Sequence, residues 1–379
     1  MIDLSSMRSV RVDPEKKTAR VGAGALLGDV DRETQAYGLA TPLGINSTTG
    51  VAGLCLGGGF GWLTRQHGLT IDNLVSADIV TADGQRHVVS ATQEPELFWG
   101  IRGGGGNFGI VTSFEFQLHP VGPLIHAGLV VYPFAEAQQV LRAWRDFIAN
   151  APRELSVWTV LRQAPPLPFL PESSHGLPVV VFAAAFNGDL EKGKQLTASL
   201  LDFGNPLGSA LGGQPYADFQ TAFDPLLTEG ARNYWKSNNF NMITDELIDT
   251  LIDSARMLPG PECEIFVAQL GGVAGEIAET DTAYAGRDAN FVMNVHGRWR
   301  DASEDERIRD WSRNVFRDTA PFATGGGYVN FLTEDETQRI DSAYSHNYAR
   351  LQQVKQQFDP ENLFRMNQNI TPATLAKTA

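Results

Sequence analysis

Cysteine is scarce in this chain, Cys55 and Cys263 being the whole supply. Two thiols so far apart make neither a disulfide framework nor the close pairing of a zinc site, so both are expected to be buried and inert, with no metal bound. Clusters of lysine and arginine are also missing, and the formal net charge is -14. Nucleic acid and anionic lipid both need a basic footprint, so neither is expected as a partner. No apolar run approaches the roughly eighteen residues of a membrane span, which argues against a membrane protein. The start at Met1 shows no charged-then-apolar leader, which as given places the chain in the cytoplasm, although a longer parent protein could be exported. Walker A, serine-elbow and His-Glu-x-x-His patterns are absent as well, which removes several large enzyme classes.

Glycine, by contrast, is concentrated. Gly50-Val-Ala-Gly-Leu-Cys-Leu-Gly-Gly-Gly-Phe-Gly61 and Gly103-Gly-Gly-Gly-Asn-Phe-Gly109 stand about fifty residues apart. Before them, Val10 and Val12 then Ala19 and Val21 flank the Asp13-Pro14-Glu15-Lys16 turn as a strand hairpin, and Leu27, Val30, Thr34 and Tyr37 recur at helical spacing up to a capping Gly38. Between them, Ala82-Asp83-Gly84 turns a second hairpin. From about Pro120 the glycine clusters stop and mixed strands and helices follow, including Leu129–Pro133, a helix around 135–150 and Pro178–Phe186. Near the end, Thr333-x-x-Glu336 is a capping box opening a helix with the stripe Ile340, Tyr344, Tyr348, Leu351 and Val354, stopped at Pro360. A chain of 379 residues accommodates two domains, or one with a large insertion.

Loop glycines usually travel with Ser, Asn and Pro, whereas these travel with Leu, Phe, Val and Trp62. That company implies a packed, shaped backbone able to approach a ligand closely. Gly104-x-Gly106-x-x-Gly109 matches the dinucleotide fingerprint in letters, but a strand follows it where the fingerprint requires a helix, so a Rossmann nicotinamide enzyme is disfavoured.

Thr48-Thr-Gly-Val-Ala-Gly53 with Gly57-Gly-Gly-Phe-Gly61, Arg65-Gln-His-Gly-Leu-Thr-Ile-Asp-Asn73, and Arg102-Gly-Gly-Gly-Gly-Asn-Phe-Gly-Ile-Val111 closely resemble the FAD-binding domain of vanillyl-alcohol-oxidase-type flavoproteins, also called the PCMH type. Tyr328-Val-Asn-Phe331 and the stretch from Tyr348 to Asn369 resemble the berberine-bridge C-terminal motif. The resemblance implies an α+β fold. It consists of an FAD-binding domain at 1–121, incomplete at its N-terminus, an inserted antiparallel-sheet-plus-helices substrate domain at 122–327, and a C-terminal segment at 328–379 that returns to the FAD domain. The family's N-terminal lobe, with an Arg-Gly-Gly-Gly-His-like loop for the flavin, has no counterpart among these residues. The family's cysteinyl link has Asn46 at its position.

The resemblance further implies that Gly50, Val51, Gly53, Gly58 and Gly59 line the flavin, that Gly109, Ile110 and Val111 lie at its adenine end, and that Asn367 and Asn369 approach its ring. Tyr328 is the expected base for a small-molecule substrate, an alcohol, sugar hydroxyl or natural-product intermediate, in a reaction that passes hydride to FAD. His67 and His119 read as structural, Trp235 and Lys236 as pocket-lining residues, and Thr49 as the residue at the oxygen-access position. Two alternatives stand beside the oxidoreductase: a truncated, flavin-poor fragment without activity, and a carbohydrate-binding protein that has lost redox chemistry.

Overall fold

A computed structural model describes residues 1–366 and 368–373 of the chain. It divides into two units, Met1–Pro120 with Val273–Arg287 and Gly326–Ala379, and Val121–Gly272 with Asp288–Gly325. Residues 273–287, which sequence reading places within the middle domain, belong with the first of these.

The first unit is built on five antiparallel strands in the order Val10–Asp13, Thr18–Gly22, Ile110–Gln117, Leu74–Val80 and Arg86–Ser90. Its opening hairpin forms because the Asp13 carboxylate accepts the Lys16 N–H at 3.0 Å and closes the turn. Alternation then buries Ala19, Val21, Phe114 and Phe116. The second hairpin turns at Gly84, whose φ of +78° favours glycine. Helix Leu27–Gln35 buries Leu27, Val30 and Thr34. It ends two residues before Tyr37, which is 54% exposed and so drops out of the expected apolar stripe.

The long C-terminal helix expected from residue 333 onward is interrupted. Its capping box is present at Thr333 and Glu336, but the chain runs as a 3-10 turn over Glu334–Arg339, then Ile340–Tyr344, then breaks at Ser345, where φ is +48°, before Tyr348–Phe358. The break turns Asn347 inward, where its amide donates to the Glu279 carbonyl at 3.0 Å and the Thr282 carbonyl at 3.2 Å. Two long-range bonds outweigh continuous helix periodicity here. Beyond the helix, the Lys355 ammonium is fully buried and spends all three protons, on the Asp359 carboxylate and on the carbonyls of Asn107 and Phe364.

The second unit is an eight-stranded antiparallel sheet. Its main path runs Gly208–Ser209, Leu124–Pro133, Pro178–Phe186, Leu155–Gln163, Glu264–Gln269, Phe291–Trp299 and Arg232–Phe240, with Gly212–Pro215 also pairing to Leu124–Pro133. Helices Ala137–Ile148, Asp245–Arg256 and Asp305–Thr319 bury Trp144, Leu251 and Trp311 in a core shared with Phe182, Met293 and Val295 of the sheet. This sheet-plus-helix layer is the architecture that the family resemblance implies for the middle of the chain, where the pattern alone gives mixed strands and helices.

Candidate active site

The first glycine tract begins on the short helix Val51–Leu56 and continues as an extended, close-packed turn. Its glycines fall into two physical groups. A Cβ on Gly57 would overlap the Asn330 amide, one on Gly58 (φ +130°) would sit 3.0 Å from the Tyr284 ring and 3.2 Å from the Tyr328 ring, and one on Gly59 (φ +78°) would overlap the Thr70 side chain. These three are glycine because protein atoms close on them. Gly50 and Gly53 are different, since a Cβ on either would meet no atom within 4 Å and both are exposed. Nothing in the protein's own packing requires glycine there. Val51, between them, is wholly buried in the core.

Tyr328 lies against this tract and is only 1% exposed. Its hydroxyl oxygen accepts two hydrogen bonds, from the Gly59 N–H at 3.0 Å and from the Asn330 amide at 2.9 Å, and Asn330 is itself held by the Leu54 carbonyl at 3.1 Å. Phe60 and Phe331 pack edge-on to the phenol ring, with centroids at 5.0 and 4.9 Å. Burial raises the Tyr328 hydroxyl above its ordinary range, the neighbouring Tyr284 adds to the rise, and the two N–H donors pull it back in part. The structure thus joins Gly58, Gly59 and Tyr328 and adds Asn330 and Tyr284 to them. Asn330 was legible as part of the Tyr-x-Asn pattern, whereas no sequence signal marks Tyr284.

The second glycine tract is tied to the first. The N–H groups of Gly103 and Gly105 both donate to the Leu56 carbonyl, at 3.1 and 2.9 Å. Asn107 then fastens the tail, donating to the carbonyls of Gly104 and Gln368 and accepting the Ile370 N–H at 3.0 Å. Gly109 packs so closely on Val80 that a side chain would overlap its carbonyl, and Ile110 and Val111 continue as strand paired to Val80 and Ile79. A cleft of about 190 Å³ is lined by Gly105, Asn107, Val329, Asn330, Tyr344 and Gln368. The Tyr344 hydroxyl and the Asn369 side-chain oxygen are both buried and have no hydrogen-bond partner among the described residues. Asn367 lies outside the described residues.

The remaining candidates lie elsewhere. His67 and His119 stack face to face with centroids 3.9 Å apart, and His119 Nε2 bonds the Asn73 side-chain oxygen at 2.6 Å. The Asn46 side chain serves a local turn, accepting the Thr48 N–H at 3.0 Å and its hydroxyl at 2.6 Å, and the Thr49 carbonyl accepts the Leu27 N–H at 2.9 Å. Cys55 and Cys263 are buried free thiols, and burial pushes both upward. Trp235 and Lys236 are consecutive on the second unit's strand Arg232–Phe240, so they face opposite sides of its sheet. The Trp235 ring meets His296 edge-on at 4.8 Å, while the Lys236 ammonium sits 4.8 Å above the Tyr234 ring.

The chain as a whole has known relatives. Residues 1–90 match the model of the FAD binding domain and residues 327–371 that of the berberine and berberine-like family. An FAD-linked oxidoreductase of Dictyostelium discoideum is 33% identical over 376 residues, which are 98% of this chain and 79% of that relative. This chain belongs to the berberine-bridge-like FAD-linked oxidoreductases. The crystal structure of 6-hydroxy-D-nicotine oxidase from Arthrobacter nicotinovorans superposes on this oxidoreductase with a TM-score of 0.84 at 26% identity, over 98% of this chain and 82% of that one. Chitooligosaccharide oxidase, at 23% identity and a TM-score of 0.83 over 99% and 82% of the two chains, shares the fold. FAD is the cofactor of this family, and the chain is an FAD-dependent oxidoreductase. Among its described residues no helix is long and apolar enough to cross a membrane.

Proposed function

We propose that this oxidoreductase oxidises the CH–OH group of a small polar substrate, a sugar or a natural-product alcohol, with Tyr328 as the base. The observation that carries the proposal is the Tyr328 oxygen itself, buried and accepting two N–H bonds from Gly59 and Asn330. Two fixed donors favour the ionised form of a phenol and offset part of the burial that otherwise keeps the hydroxyl protonated, and it is the phenolate that would serve as the base. In the reaction, the substrate hydroxyl gives its proton to the Tyr328 phenolate oxygen, which becomes the neutral phenol, as the carbon gives up its hydrogen with the bonding pair, leaving a carbonyl product. Bound FAD supplies the two-electron acceptor for that hydride.

The residues present suit such a cofactor. Gly50 and Gly53 offer backbone unobstructed by side chains, and Asn369 offers a buried amide oxygen whose hydrogen-bonding capacity is unspent. Gly109, Ile110 and Val111 complete the proposed set with main-chain groups. Support for an oxidised hydroxyl comes from the fold shared with an enzyme named for an oligosaccharide.

Tyr328→Phe tests the base. Under anaerobic conditions, substrate-driven bleaching of the flavin is expected to slow by about a hundredfold to ten-thousandfold, with substrate affinity changed far less. An unchanged rate across roughly pH 6 to 9 would show that the base is another group.

A further inference from the structure

One of the two donors on the Tyr328 oxygen is a main-chain group, the Gly59 N–H at 3.0 Å. A peptide N–H points where its rigid plane points, and the same plane carries the Gly58 carbonyl. That carbonyl accepts the Ile71 N–H at 3.1 Å, and the next one, Gly59, accepts the Thr70 N–H at 2.9 Å. The turn Thr70–Asn73 therefore grips the far side of the peptide that faces Tyr328, and the Thr70 hydroxyl fastens the turn in its place by donating to the Pro42 carbonyl at 2.7 Å.

The turn is set by Asp72. Its Oδ2 accepts the Leu69 N–H at 2.7 Å and an Arg287 N–H at 2.8 Å, and its Oδ1 accepts a second Arg287 N–H at 2.7 Å, with the arginine and aspartate side chains 1% and 4% exposed. A planar guanidinium bonded to both oxygens fixes the orientation of a carboxylate, which a single ammonium does not. Arg287 ends the strap of residues 273–287. It donates back to the Thr282 hydroxyl at 2.8 Å and the Ala274 carbonyl at 3.2 Å. The strap is tied down along its length, the Trp99 indole donating to the Thr280 carbonyl at 2.9 Å, Arg102 to the Asp281 carbonyl at 2.8 Å, and Asn347 to the carbonyls of Glu279 and Thr282.

We propose that Asp72 and Arg287 are positioning residues for proton transfer at Tyr328: their two-bond pair, supplied by the strap, sets the turn Thr70–Asn73 and through it aims the Gly59 N–H at the base oxygen. The proposal rests on the reading of Tyr328 as the base. An N–H bonded to a phenol oxygen favours the phenolate, so a misaimed Gly59 N–H leaves the phenol holding its proton to higher pH. Every link is a hydrogen bond between neighbouring groups, from the guanidinium to the carboxylate, the turn, the glycine peptide and the phenol. The titratable groups facing Tyr328 are Tyr284 on the strap and the Cys55 thiol on helix Val51–Leu56, and the charged group beside the pair is Arg102 at the end of helix Pro95–Ile101. Asp72→Glu and Arg287→Lys alter none of these groups and keep both charges of the pair, so each changes the geometry of the link alone.

The test is made in flavin-loaded protein labelled throughout with 3,5-difluorotyrosine, whose phenol ionises at lower pH than tyrosine's, with the fluorine signal of residue 328 assigned by its loss in Tyr328→Phe. In Asp72→Glu the ionisation midpoint of that residue is expected to move to higher pH by about one unit, a tenfold change in its ionisation constant. Arg287→Lys should move it the same way, since an ammonium holds the carboxylate at one point where the guanidinium holds two. If Asp72→Glu gives no folded protein, Arg287→Lys carries the test by itself. A lowered melting temperature beside an unmoved midpoint would make the pair a support of the fold only, and overturns the proposal, as does a midpoint that moves to lower pH. The base assignment fails separately: parent-rate flavin reduction by Tyr328→Phe defeats it, whereas a slow Tyr328→Phe beside an unmoved midpoint in the pair variants defeats the role of Asp72 and Arg287 alone.

Discussion

Glycine at 53 and glycine at 58 are the same letter held in place by different forces. A Cβ at 53 meets nothing in the protein, and the residue sits inside helix Val51–Leu56, where alanine is preferred by about 0.5–1 kcal/mol. Gly53→Ala is therefore expected to leave flavin-stripped protein as stable or slightly more so while lowering its flavin content, read by thermal melts beside flavin absorbance. Gly58→Val should instead lower the melting temperature of stripped protein, because the added methyls meet Tyr284 and Tyr328 at a φ of +130°. A Gly53→Ala protein with full flavin content would remove Gly53 from the cofactor wall. The stacked histidines make a second residue-scale expectation. Burial holds His67 down to about 4 from the ordinary 6.5, and His119 is lowered by burial too. The unfolded chain takes up these protons first as pH falls. Stability is thus undiminished above about pH 6.5 and is lost progressively between there and about pH 4. Replacing His67 with Gln should flatten that part of the urea-midpoint profile, and an unaltered slope would place the acid sensitivity elsewhere.

At the scale of elements, local signals were legible where one turn decides the outcome. Asp13 with Lys16 and Asp83 with Gly84 set their hairpins from within a few residues, and a strand after Gly109 was enough to reject a dinucleotide helix. The tail was less legible. The apolar stripe from Ile340 to Val354 fits one helix, yet Asn347 breaks it to reach carbonyls more than sixty positions away. The strap was not legible, because Arg287 and Asp72 stand 215 residues apart and nothing in either neighbourhood names the other. Lys355 illustrates the energetic weight of such an element. Lys355→Met leaves the Asp359 carboxylate buried without its cation, which is expected to cost about 3–5 kcal/mol in urea denaturation. Adding Asp359→Asn should recover part of that loss. Additive penalties in the double variant would mean the two groups do not act as a pair.

For the whole molecule, the first unit draws on three separated stretches of chain, and its closure depends on the last of them. Gln368 and Ile370 reach Asn107 in the second glycine tract. Removing residues 366–379 should therefore raise amide hydrogen exchange across 103–109 and lower flavin content, while exchange in the second unit's sheet stays as before. Uniform loss of protection would show instead that the tail supports the entire fold. Contacts spanning such separations also imply slow folding, since distant loops must close before they are rewarded.

A chain that folds slowly leaves its sheet margins open for long periods, and unpaired strand margins recruit other chains. The first unit's sheet ends on Val10–Asp13 at one side and on Arg86–Ser90 at the other. Arg11 and Asp13 stand on the first margin, and the second opens with Arg86, which is 68% exposed and 3.7 Å from the Asp78 carboxylate. Charge placed there makes docking of a foreign strand costly, so the hairpins that read as mere entry and exit of the sheet also act as its guards against fibrous self-association.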